Sequence, residues 1–249
     1  MGAVAIDTLP RKRLAFFEAY IGKKVVMAVT GVMLVFFLIG HLAGNLLVLL
    51  PPSYAAGGEL VYPINVYTAI LHSHPNLVTA AEAGLIFAVV LHIWSSFLLW
   101  LEKRRARPVG YVKKDNLPAS YASRTMMWSG PIVAAFVLFH LLHLTTGSVH
   151  LGYRGPSSWG GEEQYFTYQN VVLGFRHLWV SVAYIIAMAL LSMHLYHGVW
   201  SMFQSVGISH PRYTPLLKIA AHVFAWIVAI GFISIPIAVL AGLVGREVF

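Results

Sequence analysis

Residues 25–50 read VVMAVTGVMLVFFLIGHLAGNLLVLL, a run of 26 positions without a charged side chain. At 1.5 Å per helical residue, about 20 residues cross a ~30 Å hydrocarbon core, so this stretch predicts a membrane-spanning helix. Four more runs of the same kind lie near residues 77–101, 126–146, 178–203 and 219–244. Composition agrees: 58% of the 249 residues are hydrophobic and 10% charged, with a mean hydropathy of +0.72, far from a water-soluble domain. The expected fold is an all-α membrane protein, a five-transmembrane-helix bundle forming one membrane domain over residues 1–249. The first span follows more than twenty polar or mixed residues and is too long for a signal-peptide core, so it is read as retained.

Lysine and arginine set the expected orientation. Arg11, Lys12, Arg13, Lys23 and Lys24 precede the first span. Lys103, Arg104, Arg105, Arg107, Lys113, Lys114 and Arg124 lie between the second and third, and Arg212 and Lys218 between the fourth and fifth. Fourteen of the seventeen basic residues thus fall on one side, leaving Arg154, Arg176 and Arg246 for the other. By the positive-inside rule the N-terminus is cytoplasmic and the C-terminus outside. The net charge of +8 is then a topology signal with some attraction to anionic lipid, and nucleic-acid binding is not needed to explain it.

Four of the five runs carry a histidine deep inside: His41, His92, His140 and His197. Ionisable rings in hydrocarbon are rare unless they line a site or hold a cofactor. Spans one and three run outward and place His41 and His140 in the outer half, while spans two and four run inward and place His92 and His197 in the inner half. Two layers result, roughly 10–15 Å apart at 1.5 Å per residue, each with two histidines on different helices. Bis-histidine ligation of one haem per layer needs that arrangement. The chain has no cysteine, which removes thiolate ligands and iron–sulfur clusters from its own repertoire.

Other residues compete or assist. His143 follows His140 by three positions and His194 precedes His197 by three, so each pair shares a helix face and either member can ligate. His222 has no layer partner, and His150, His177 and His210 fall in loops or near interfaces. Gly31, Gly40, Gly44, Gly84 and Gly198 lie near the chosen histidines and suit a flat macrocycle, although small residues also serve ordinary helix packing. Haem carboxylates need charged or hydroxyl partners, for which Lys24, Thr30, Ser123, Arg124, His210 and Arg212 are inner-side candidates. A quinone site needs an apolar slot, donors to the carbonyls and a proton-exchanging group. Glu82 inside span two, Glu59, His72 and His74 are the candidates. The connections 51–76 and 147–177, rich in Gly, Pro, Tyr and Trp, are expected to be irregular and to lie at headgroup level.

A family resemblance runs through these residues. Gly22-Lys23-Lys24 through Thr30-Gly31 to Gly40-His41-Leu42-Ala43-Gly44-Asn45, then Leu91-His92-Ile93, Trp128-Ser129-Gly130-Pro131 with Phe139-His140-Leu141-Leu142-His143, and His194-Leu195-Tyr196-His197-Gly198-Val199-Trp200 resemble the cytochrome b membrane anchor of succinate dehydrogenase and fumarate reductase, in its single-chain, five-helix, di-haem form. The resemblance implies two haem b groups, with His92 and His197 on the proximal one and His41 and His140 on the distal one. It also implies a menaquinone or ubiquinone, and partner flavoprotein and iron–sulfur subunits on the cytoplasmic side that hold FAD and the clusters. A bacterial cytoplasmic membrane and a possible higher oligomer of the complex complete the expectation. In fumarate-reducing members an acidic residue two positions before the span-four ligand is tied to proton passage; here that position is Leu195, which argues against the same route. Two alternatives stand beside it: a di-haem cytochrome b serving a hydrogenase or formate dehydrogenase, and a cofactor-free, histidine-rich transporter.

Overall fold

The computed structural model describes residues 19–106, 121–155, 157–159 and 162–248. Arg11, Lys12, Arg13, Arg107, Lys113, Lys114 and the Ser123 side chain, used in the charge and carboxylate arguments above, lie outside the described residues. Helix α1 (Tyr20–Leu46) tightens into a 3-10 turn over Leu47–Leu49; a hairpin of β1 (Ser53–Tyr54) and β2 (Leu60–Val61) and a short helix α2 (Pro63–His72) follow. Next come α3 (Pro75–Arg105), α4 (Tyr121–His140) with a π-helical turn over Leu141–Thr145, and a second hairpin of β3 (Ser157–Trp159) and β4 (Glu162–Gln164). The chain ends with α5 (Thr167–Arg176), α6 (Leu178–Ser205) and α7 (Thr214–Leu240).

Five helices, α1, α3, α4, α6 and α7, are long and apolar enough to cross a membrane. The chain is therefore a multi-pass membrane protein. Phe36, Ile86, Trp128 and Ile230 are among many large apolar side chains exposed on these helices, an outer surface suited to lipid. α6 and α7 pack along each other, α1 packs on α3, α6 and α7, and α4 packs on α6. Protein covers α3 and α4 least: 11% and 6% of their apolar windows are buried, against 33% and 39% in α6 and α7. Helix starts follow local chemistry. Pro63 and Pro75 occupy first-turn positions in α2 and α3, and Pro215 one in α7, where a missing N–H costs nothing.

The two connections expected to be irregular instead fold into a cap. α5 buries Tyr168, Val171, Val172 and Phe175, one face at i, i+3, i+4 and i+7. These join Val48, Tyr62, Ile64, Val180, Tyr184, Ile235, Val239 and Val248 in one apolar cluster. His177 is the single extended residue that separates α5 from α6 (φ −75°, ψ 110°), and Ser181 Oγ donates to the Phe175 carbonyl at 2.6 Å. The C-terminal residues are tied into the same cap. Tyr62 and Tyr168 stack at 3.9 Å, the Tyr168 hydroxyl donates to Glu247 Oε1 at 2.8 Å and accepts from Gly245 N at 2.9 Å. Gly245 has φ +83°, and a Cβ there would stand 2.4 Å from Val172 Cγ1, so the position requires glycine.

Burial, reinforced by the Glu247 carboxylate, raises the phenol groups of Tyr62 and Tyr168 above the ordinary tyrosine value. Both favour the protonated form when folded. Their contribution is therefore fully present below about pH 10, the unfolded value, and is lost as pH rises through the raised values. Tyr168→Phe removes the bonds to Glu247 and Gly245 and is expected to lower stability by about 1–3 kcal/mol. Thermal unfolding of the detergent-solubilised protein should show the loss, and the difference between wild type and Tyr168→Phe should narrow only above about pH 10.

Candidate functional site

The histidines meet in pairs on different helices. His41 on α1 and His140 at the end of α4 stand with ring centroids 5.8 Å apart and planes at 84°. His92 on α3 faces His194 on α6 at 6.4 Å and 60°. The ring across from His92 is thus that of His194, where depth and family resemblance alike had placed His197. Three residues on a helix differ by only ~4.5 Å in height, which depth alone does not resolve. The height of each pair follows from α1: His92 contacts Met27, Thr30 and Gly31, ten to fourteen residues before His41. The two pairs are therefore about 15–20 Å apart along the bundle.

Each ring has its own support. Thr30 Oγ1 donates to the Val26 carbonyl at 2.8 Å, so towards His92 it accepts. His92 Nδ1 lies 3.2 Å from Thr30 Oγ1 and 3.2 Å from the Met27 carbonyl, two acceptors that place the proton on Nδ1. The lone pair is then on Nε2, free to take a metal. Thr30 accordingly holds His92, and is not left over as a carboxylate partner. Gly31 belongs to the same contact, since a Cβ there would sit 3.5 Å from His92 Cε1. His41 stacks on Phe37 at 5.0 Å, with Asn45 Nδ2 3.4 Å from its Nδ1 and bonded to its carbonyl at 2.7 Å. Tyr184 OH lies 3.2 Å from His140 Nδ1 and 2.9 Å from His143 Nδ1.

The pair His140 and His143 is resolved by packing. His143 is 2% exposed and stacks on His150 at 4.7 Å, with planes 15° apart. A Cβ on Gly174 would come within 2.7 Å of His143 Cε1 and 2.9 Å of its Nε2, and equally close to His150 Nε2. The Nε2 edge of His143 is therefore filled by α5 and has no room for a metal. His150 is held in turn, its Nδ1 and Nε2 lying 3.0 and 2.7 Å from the Leu151 and Asn170 carbonyl oxygens. Gly174→Ala should push this stack apart and cost about 1–3 kcal/mol as overpacking, read as a lower melting temperature with the apolar helices intact.

Lys24 lies with Nζ 4.8 Å over the Tyr20 ring. Arg124, His210 and Arg212 are exposed, and Arg212 N donates to His210 Nδ1 at 3.1 Å. Glu59 and Glu82 are exposed. His72 is bonded to the Thr68 carbonyl at 2.9 Å and packs on Tyr165 at 4.8 Å, and His74 Nδ1 lies 2.9 Å from Ser73 Oγ. None of these four is in contact with a histidine pair among the described contacts. Gly44, expected near a macrocycle, instead receives Tyr67: a Cβ would stand 2.6 Å from Tyr67 Cε1. Nothing stands within 4 Å of the Cβ positions of Gly40, Gly84, Gly130 and Gly198. These glycines leave open surface on all four histidine-bearing helices.

No protein-family model, curated protein or solved structure matches this chain. The site must therefore be judged on its own chemistry. Among the described residues no group of three or more His, Asp or Glu side chains is arranged to hold a metal ion; the histidine–histidine contacts between membrane helices are His41 with His140 and His92 with His194. Sequence reasoning missed Tyr184 and Asn45, whose polar atoms reach across one turn or to a neighbouring helix. Their residue types were visible, but their register was not.

Proposed function

We propose that this chain is the membrane anchor and di-haem cytochrome b subunit of a succinate:quinone oxidoreductase, carrying electrons between an iron–sulfur subunit and membrane quinone. The observation that supports it most is the meeting of histidines in two pairs, at two depths, on four membrane helices. The donors fit the group. Each pair offers two imidazoles from different helices, His92 presents a free Nε2, and the separations of 5.8 and 6.4 Å approach the roughly 6 Å that two imidazoles leave across one iron with ~2 Å bonds. We assign His41 with His140 and His92 with His194, so that His194 takes the role given above to His197.

Haem b would supply one-electron transfer, and His41, His140, His92 and His194 would be the residues that hold it. The chain's own residues do the rest. Thr30 and the Met27 carbonyl fix the tautomer of His92, and Tyr184 does so for His140, since a hydroxyl that donates to His143 Nδ1 is left to accept from His140 Nδ1–H. With His194 as ligand, the position two residues before it is Ser192, whose hydroxyl donates to the Ala225 carbonyl at 3.2 Å; it is no more acidic than Leu195.

The basic residues favour a cytoplasmic N-terminus, with flavoprotein and iron–sulfur subunits docked there, in a bacterial cytoplasmic membrane. The resemblance described above supplies the substrate. The test is a purification from membranes under mild detergent. Co-purification of a flavin-bearing subunit, with haem reduced on adding succinate, is the expected result. Haem that no succinate reduces, in a complex without flavin, would point to another dehydrogenase.

A further inference from the structure

Among the described residues, three buried side-chain polar atoms have no hydrogen-bond partner: Ser129 Oγ, His194 Nδ1 and His197 Nδ1. Burying a polar atom unpaired is costly and rare in a folded protein, so each such atom asks for an explanation. Counted along the helices, they lie at similar heights on two neighbours, α4 and α6. α4 and α6 run in opposite directions, and Tyr184 sets their register by touching His140 and His143. Ser129 lies eleven to fourteen residues before those histidines, about 17–21 Å towards the N-terminal end of α4. His197 lies thirteen residues after Tyr184, about 20 Å in the same direction. Ser129 is thus level with His197, on the helix packed beside it.

Ser129 is only 2% exposed, and a buried hydroxyl without a protein partner suits a site that receives an acceptor from a bound group. A serine O–H and an imidazole N–H at one level make two donors, and their natural complement is an acceptor oxygen with negative charge. His197 stands one turn beyond His194, farther from the His41 and His140 pair. It is placed to meet the periphery of a group held by His92 and His194, not its centre.

We propose that Ser129 and His197 form the docking pair for a carboxylate of the haem held by His92 and His194. The proposal rests on the di-haem reading above. It gives His197 a positioning role in place of ligation, and it accounts for the buried hydroxyl of Ser129. A quinone carbonyl offers a related acceptor oxygen, so the experiment must separate the two sources.

The test uses the intact complex with haem labelled by 13C at the propionate carboxyls. Ser129→Ala and His197→Ala are compared with wild type by haem content, redox titration and reduced-minus-oxidised infrared difference spectra. Both variants should keep two haems per chain, shift the midpoint potential of one haem while leaving the other in place, and move the labelled carboxylate band. Ser129→Thr, which keeps a hydroxyl, should restore the wild-type band, and it serves if Ser129→Ala fails to assemble. Unmoved potentials and an unmoved band in both variants overturn the proposal. So does a change confined to the KM for quinol with the band unmoved, which assigns the pair to quinone. Loss of a haem in His197→Ala but not in His194→Ala makes His197 the ligand and also overturns it. Wild-type complex without haem defeats the underlying reading instead, and is seen before any variant is made.

Discussion

His140→Ala will purify with one haem per chain in place of two, and His41→Ala will do the same. Both rings belong to one pair, 5.8 Å apart on α1 and α4, and a haem held by that pair would lose one of the two residues proposed to hold it. His143 is not positioned to take over. Its Nε2 edge is packed against Gly174 and His150, and its Nδ1 is engaged by Tyr184 at 2.9 Å. The haem that remains should be the one at His92 and His194, about 15–20 Å away along the bundle. Haem content by pyridine haemochrome and a reduced-minus-oxidised spectrum with one α-band component missing check the outcome. Retention of both haems in His140→Ala, with loss of one in His143→Ala, would reverse the choice.

The second large effect concerns the other pair. His92→Ala and His194→Ala should each remove the haem nearer the N-terminal end of the bundle, whereas His197→Ala should leave it bound. That haem is the proposed entry point for electrons from the iron–sulfur subunit. Its loss should therefore cut succinate-driven quinone reduction by at least about 100-fold, above the 10–100-fold typical of outer-shell substitutions, and leave the flavin-site reaction with an artificial acceptor unchanged. Thr30→Val gives a graded version. Without the Thr30 acceptor, His92 keeps only the Met27 carbonyl, and haem affinity should fall by about 10- to 100-fold.

The membrane helices were legible because each apolar run exceeds the length a bilayer requires, and the helices found match them within a few residues. α1, α4 and α7 each begin about five residues earlier than expected, at Tyr20, Tyr121 and Thr214; in α7 this is because Pro215 starts the helix within the polar connection. α2 and α5 were hidden by their setting among Gly, Pro and aromatic residues. The pattern Tyr168, Val171, Val172 and Phe175 was present, yet ten residues are too few for a helix to declare itself without the core it packs on. Side-chain pairing was the least legible feature. His194 and His197 share a face, and which one meets α3 depends on how α3 rests on Thr30 and Gly31, a contact between helices that no local pattern encodes. Gly44 shows the same limit, since its lack of a side chain serves Tyr67 rather than a cofactor.

The central claim is that the histidine pairs hold haem. Quantifying iron and protohaem against protein in the complex purified from its native membrane tests it most directly. Two protohaems per chain, with six-coordinate low-spin spectra, are the predicted result; a folded, fully assembled protein containing no haem would contradict the account.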